Sequence, residues 1–337
     1  MAGRYDEHDP ESYERPRRRT RPRTKERPSY ADAVDAVVVT VDRGRYTCRL
    51  DGADDGTDAR APVVAMKSRP LGRKGVVVGD RVRLVGDTSG AEGSLARIVE
   101  VRERTTALRR TADDDDPVER VVVANADQLV IVTALADPEP RRGLIDRALV
   151  AAYDAGMDPL LCLTKADLAA PEPLLATYRP LGVDHVVTSI VPGRAPELAA
   201  LRQRLAHRVS VLLGHSGVGK STLVNALVPQ AGRETGQVNV VTGRGRHTST
   251  SALMLALPGG GWIVDTPGIR SFGLAHVDAD HLIEAFPDLH GLTADCPRGC
   301  SHAAGEPECG LDEAPGELID RVESFRRLLA SREEPWS

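Results

Sequence analysis

In the stretch Val209-Ser210-Val211-Leu212-Leu213-Gly214-His215-Ser216-Gly217-Val218-Gly219-Lys220-Ser221-Thr222-Leu223-Val224, an apolar, β-branched run ends at Leu213 and a glycine-rich turn follows. Gly214, Gly219, Lys220 and Ser221 fall at the spacing G-x-x-x-x-G-K-S of a phosphate-binding loop. The glycines let the backbone turn tightly with its N–H groups facing inward, and a helix starting near Lys220 adds the positive end of its dipole. Anionic phosphate oxygens fit such a cradle, so residues 214–222 are the expected phosphate contacts. Lys220 is placed to reach the β- and γ-phosphates, and the Ser221 hydroxyl to ligate Mg²⁺.

On the amino-terminal side of this loop the pattern alternates strand and helix. Residues 121–124, 128–133, 159–163 and 185–190 read as strands. Residues 144–155, with Leu144, Ile145, Ala148, Leu149 and Ala152 on one face, and residues 196–207 read as helices. The fold class is therefore α/β with a doubly wound sheet, whose ligands lie at the carboxyl ends of the strands. At one such end stands Thr164-Lys165-Ala166-Asp167. A carboxylate there accepts two hydrogen bonds from the N1–H and 2-amino group of guanine, which adenine lacks, so Asp167 is expected to select the base. The Lys165 stem would cover a face of the ring. Thr164 stands where asparagine is commoner in GTPases, which changes one polar contact. Thr188-Ser189, after the next strand, is expected at the base edge.

On the carboxy-terminal side, Gly259-Gly260-Gly261 turns a strand over 252–257 into one over 262–264, and Asp265-Thr266-Pro267-Gly268 follows. Asp265 is expected to hold Mg²⁺ through water and the Gly268 N–H to meet the γ-phosphate. Residues 243–250 are a glycine- and arginine-rich segment in which Thr248, or alternatively Thr250, is the natural second Mg²⁺ ligand.

Ahead of this lie two different regions. Residues 1–30 are polar, arginine-rich and proline-punctuated, as expected of a disordered basic tail able to lie along a phosphate backbone. Residues 31–111 carry five short β-rich runs at 36–41, 46–50, 62–66, 81–85 and 95–101, which fit an OB-fold barrel. Lys67, Arg69, Arg73 and Lys74, with Arg102, Arg104, Arg109 and Arg110, are its expected phosphate contacts, because aromatics for base stacking are scarce. Residues 112–117 hold four consecutive aspartates and read as an acidic linker. The net charge of −5 argues against a generic nucleic-acid binder, so local basic patches matter more than the sum.

Three of the five cysteines crowd together near the carboxy terminus. Cys296, Cys300, His302 and Cys309 supply three thiolates and an imidazole, which suits one closed, structural, tetrahedral Zn²⁺ per chain. A helix over 315–330, with Leu318, Val322, Phe325 and Leu329 on one face, is expected to pack beside it, giving a small, mostly α zinc-binding domain. The domain boundaries expected are 31–111 for the barrel, 118–285 for the nucleotide domain and 286–337 for the zinc-binding domain.

The guanine motif precedes the phosphate loop, the reverse of the usual order, so the expected nucleotide domain is circularly permuted. That order, the amino-terminal barrel, the carboxy-terminal cluster, Ala124-Asn125-Ala126-Asp127-Gln128, G-R-H-T and D-T-P-G-I-R-S-F together resemble the small ribosomal subunit biogenesis GTPase family known as RsgA. The resemblance implies GTP hydrolysis in late assembly of the small (30S) subunit, 16S rRNA as partner, a Cys3His zinc site, and GTP with Mg²⁺ as ligand. Ile269 stands where Ras-like GTPases place a water-orienting glutamine, and the resemblance suggests His247 as the catalytic residue instead. With only residues 269–289 between D-T-P-G and the zinc segment, the γ-phosphate is expected to reorient that segment, which with the barrel would clamp rRNA. Two other classes compete: a P-loop kinase of a small molecule, and a passive RNA-binding assembly protein with a vestigial nucleotide site. No apolar run approaches a membrane span and the amino terminus carries no apolar signal core, so a soluble, cytoplasmic protein without membrane contact is expected; a monomer is expected as well.

Overall fold

Two layers of β-structure meet at the Thr40–Leu253 bridge, which makes a barrel and a parallel sheet continuous in an order of eleven strands. The computed structural model describes residues 30–51, 61–72, 75–111, 119–229, 252–266, 274 and 277–332. The basic tail, the acidic run at 112–117, and His247, Thr248 and Gly268 lie outside the described residues. The unit from Asp32 to Ser337 is the one described below.

The barrel consists of β1 (Val34–Asp42), β2 (Arg45–Leu50), β3 (Val63–Lys67), β4 (Arg81–Gly86) and β5 (Ala96–Val101). Their order is β1-β2-β3-β5-β4, and β4 returns to β1 with Val34 opposite Leu84, closing the circle. Alternating residues such as Val38, Cys48, Val63, Leu84 and Ile98 are buried inside, as the period of two requires. Register shifts at Val38/Thr40 and Arg83/Leu84 bend the strands enough to close. This is the OB-type barrel expected from the five runs.

A separate ribbon pairs β6 (Ala107–Thr111) with β7 (Glu119–Ala124). Local periodicity predicts no strand at 107–111, because Leu108 stands alone among arginines and threonines. Tertiary burial of Leu108 against the core containing Val123 explains it.

The sheet of the α/β domain runs β10 (Asp184–Val187), β9 (Asp158–Thr164), β8 (Gln128–Ala134), β11 (Val209–Leu213), β13 (Trp262–Asp265), β12 (Leu253–Ala256). All neighbours are parallel except the β12–β13 hairpin. Every residue of β8 is buried, the mark of a parallel strand covered on both faces. Leu129 and Ile131 face the core beneath α1 (Arg142–Asp154), whereas Val130 and Val132 face α3 (Ala199–Leu205) and α4 (Lys220–Leu227). A short α2 (Glu172–Tyr178) follows β9. The helix expected over 196–207 forms only over α3, and the chain leaves it through His207 at a φ of 58°.

The carboxy-terminal segment is small and helical: α5 (Ala279–Glu284), α6 (Pro287–His290) and α7 (Ile319–Ser331), with 3-10 turns at Gly291–Thr293, Gly310–Glu313 and Gly316–Leu318. α7 starts later than expected because that last 3-10 turn takes its first residues. Its Val322, Phe325, Leu328 and Leu329 enter the same core as Ile145 and Leu149 of α1. Phe286 sits edge-on between Tyr153 and Phe325, with centroids 5.0 and 5.3 Å away. The buried Arg147 of α1 donates from Nη1 to the Ser331 carbonyl at 2.9 Å, pairing one of the last carbonyls of α7. No helix among the described residues is long and apolar enough to cross a membrane.

Candidate nucleotide site and metal centre

The strand order reverses direction between β8 and β11: the chain runs from β8 outward to β9 and β10, then returns to β11 on the other side. A crevice at such a switch point, beyond the carboxyl ends, is where open α/β sheets hold ligands. The phosphate loop leaves β11 into it. Gly214 passes so close to β8 that a Cβ would lie 2.5 Å from the Val132 carbonyl oxygen, so only glycine fits. Gly219 caps α4 at a φ of 92°, which turns the loop into the helix that begins at Lys220. Ser216, Gly217, Ser221 and Thr222 are exposed, His215 and Lys220 half-buried, and Val218 buried.

Across the crevice, Lys220 Nζ pairs with Asp265 Oδ1 at the end of β13. The Thr266 hydroxyl donates to the Leu212 carbonyl at 3.1 Å, fixing the exit of β13 against β11. From the other side, the buried Thr164 hydroxyl donates to the Val218 carbonyl at 2.6 Å. The threonine thus ties the guanine motif to the phosphate loop. Ala166 N donates to Thr188 O at 3.2 Å, and the Ser189 hydroxyl donates to Asp167 Oδ1 at 2.7 Å. One carboxylate oxygen of the exposed Asp167 is thereby oriented by the neighbouring strand end.

Two residues at this rim escaped the sequence reading. Lys165, at a φ of 58°, donates from Nζ to the Asp137 carbonyl, and Pro138 lies 3.5 Å from a Cβ built on Gly217. Both stand beyond the carboxyl end of β8, and that position was the available signal.

The motif Ala124-Asn125-Ala126-Asp127-Gln128 proves to be a joint between the ribbon, the barrel and the sheet. Asn125 accepts from Thr105 N and donates to the Gly79 carbonyl, both at 2.9 Å. Asp127 Oδ2 accepts from Val209 N at 2.6 Å, and Gln128 Nε2 donates to Ser210 Oγ at 2.7 Å. On the barrel, Arg104 holds the fully buried Asp80 through Nε at 2.7 Å and Nη2 at 2.8 Å. Arg102 pairs with Asp35 and Glu100. Arg104 therefore serves the barrel's interior.

The four carboxy-terminal donors come together. One ligand atom from each of Cys296, Cys300, His302 and Cys309 lies within 4.8 Å of all the others. His302 Nδ1 is 3.8 Å from both Cys296 Sγ and Cys309 Sγ. Tetrahedral bonds of about 2.3 Å to sulfur and about 2.0 Å to nitrogen would separate such donors by about 3.5–3.8 Å, so the set fits a metal ion. Burial pushes the Cys300 thiol up to about 11, and the backbone N–H of His302 opposes the shift.

Fold and site together define a circularly permuted P-loop nucleotide-binding protein with a barrel before it and a Cys3His cluster after it. A model of the RsgA GTPase family matches residues 101–275, and the chain belongs to that family. The small ribosomal subunit biogenesis GTPase RsgA of Ectopseudomonas mendocina is 46% identical over 223 residues, 63% of this chain and 64% of that protein. The protein of the same name from Gemmatimonas aurantiaca is 39% identical over 270 residues, 78% of this chain and 86% of its own length. The match thus spans under two thirds of the first relative and most of the second. Among solved structures, YjeQ from Thermotoga maritima superposes with a TM-score of 0.65 at 25% identity, covering 89% of this chain and 98% of that one. YloQ, described as a circularly permuted GTPase, has a TM-score of 0.63 at 22% identity over 91% of this chain and 98% of its own, a likeness of fold.

Proposed function

We propose that this chain binds guanine nucleotides, hydrolyses GTP, and acts as a switch on the small ribosomal subunit and its 16S rRNA during late assembly. The observation that carries the reading is the convergence of Asp167, Lys220 and Asp265 at one rim, with the guanine motif ahead of the phosphate loop. Relatives named for small-subunit biogenesis support the partner.

In this reading Asp167, oriented by Ser189, accepts from the N1–H and 2-amino group of guanine, and Lys165 covers the ring. The backbone N–H groups of residues 214–219 and the amino end of α4 receive the phosphates, with Thr222 beside them. Lys220 exchanges the Asp265 carboxylate for phosphate oxygens. Ser221, Asp265 and Thr248 would hold Mg²⁺, which when bound neutralises charge on the β- and γ-phosphates. Gly268 meets the γ-phosphate, and His247 orients the attacking water when the subunit is bound. The Cys3His cluster holds one structural Zn²⁺. The barrel and the zinc-bearing segment contact rRNA, and the protein works as a cytoplasmic monomer; residues 31–111, 118–285 and 286–337 are its working parts.

Turnover of GTP by the purified chain, measured with and without small subunits, tests this. Slow turnover alone and an increase of about 10²-fold or more with subunits is expected, the scale that one positioned catalytic group supplies. Equal rates would overturn the partner-gated reading, and no turnover in either would favour a passive RNA-binding protein.

A further inference from the structure

We propose that Asp280 and Arg326 form the outer shell of the metal centre, as positioning residues for two of its four ligands. The inference rests on reading the Cys3His cluster as a metal site. It adds residues that no motif spacing marks, since Asp280 comes from α5 and Arg326 from α7.

The His302 ring has two distinct sides. Its Nδ1 faces the sulfurs of Cys296 and Cys309 at 3.8 Å, while its Nε2 lies 3.3 Å from Asp280 Oδ1. Asp280 is 71% exposed and approaches Nε2 as an ion-pair contact; a carboxylate can only accept, so its charge favours the hydrogen on Nε2 and leaves the Nδ1 lone pair for the cluster. That is the tautomer metal ligation needs, and the carboxylate also makes the imidazole a better donor.

Arg326 meets the cluster from the opposite element. Its Nη2 lies 3.9 Å from Cys309 Sγ, and its Nε donates to the His302 carbonyl at 3.2 Å. Asp312 accepts from Nη2 at 2.6 Å and holds the guanidinium in place. Three thiolates and a neutral imidazole around a divalent cation carry one net negative charge. The guanidinium, mostly buried at 18% side-chain exposure, offsets that charge beside a thiolate and fixes the backbone of a second ligand.

A cavity of about 420 Å³ opens beside the cluster, lined by Asp280, Glu284, His290, Arg298, Cys296 and His302. Chelators therefore reach the Asp280 side, and loosening His302 there exposes the ion directly.

The test uses the full chain loaded with Zn²⁺ or Co²⁺, with affinity from competition against a chromogenic chelator and the ligand set from the Co²⁺ charge-transfer bands. Asp280→Ala and Arg326→Gln should each weaken the metal by about 10-fold to 100-fold while the bands stay those of a tetrahedral sulfur-rich site. Asp280→Asn, which keeps an acceptor, should recover part of the loss. Arg327→Gln is the control, because Arg327 turns to Asp146 and the Thr177 carbonyl instead. Affinities within about twofold of wild type for both Asp280→Ala and Arg326→Gln would overturn the proposal. So would an equal loss in Arg327→Gln, which would mean that any loosening of α7 frees the ion. If the wild-type chain binds neither ion, the metal-site reading itself fails and the outer shell falls with it.

Discussion

The Thr164 hydroxyl donates to the Val218 carbonyl at 2.6 Å, joining the residue that opens the guanine motif to the middle of the phosphate loop. Both partners are buried, so the bond sets the loop's position against β9 before any ligand contact is made. Thr164→Val keeps shape and removes the donor. It should cost about 1–3 kcal/mol of stability, because the carbonyl is left unpaired, and it should weaken GTP and GDP alike. Denaturant unfolding and nucleotide titration check this; unchanged affinity for both would show that the tie does not preorganise the loop.

Asp167 should act differently, through discrimination. Asp167→Asn replaces an acceptor pair with a donor and an acceptor, so guanine should weaken and xanthine should gain, while Ser189→Ala should produce a smaller loss without any change of base preference. Competition between GTP and XTP measures both. A mutant that still prefers guanine as strongly as the wild type would remove Asp167 from the base site.

Kinetics separate binding from chemistry. Lys220→Ala should damage nucleotide affinity itself, whereas His247→Ala should leave GTP and subunit affinity nearly intact and abolish most of the subunit-stimulated rate. Stimulation that survives in His247→Ala would move the water-orienting role to another residue.

Alkaline pH should loosen the contact between α1 and the carboxy-terminal segment. Burial raises the Tyr153 hydroxyl to about 12, with the Arg321 charge opposing. Between its ordinary value of about 10 and that raised one, the native chain keeps a proton that the unfolded chain releases. The stability contributed is whole below about pH 10 and is lost as pH rises toward about 12, by up to about 1.4 kcal/mol per pH unit for one proton. Tyr153→Phe keeps the edge-on contact with Phe286 and should flatten that part of the slope in urea titrations from pH 8 to 11. An identical slope in the mutant would assign the loss to other groups.

Arg147 should act as a latch for α7. Arg147→Met removes the donor to the Ser331 carbonyl and should cost about 1–3 kcal/mol, seen as earlier urea unfolding and faster proteolysis near the carboxy terminus. Protection of α7 equal to wild type would show that the apolar contacts of Phe325 and Leu328 suffice alone.

Local chemistry made much of this protein readable from its residues. G-x-x-x-x-G-K-S needs its glycines and lysine at fixed spacing, T-K-A-D and D-T-P-G mark strand ends, and the order of these motifs along the chain is itself the permutation. The five barrel runs and the continuous apolar strand at β8 were equally legible, because periods of two and unbroken β-branched runs are backbone properties. Partner identity was not. That Thr164 bonds Val218, that Arg104 is committed to the buried Asp80, that Asp137 receives Lys165, and that Asp280 and Arg326 flank the cysteines are facts of long-range packing. The ribbon strand Ala107–Thr111 and the shared core of α1 and α7 belong with them, since a lone Leu108 or a buried Arg147 acquires its meaning only from the surface it meets. Short-range periodicity and motif spacing are written in neighbouring residues, whereas a hydrogen bond between residues 54 positions apart exists only once the chain has closed around it.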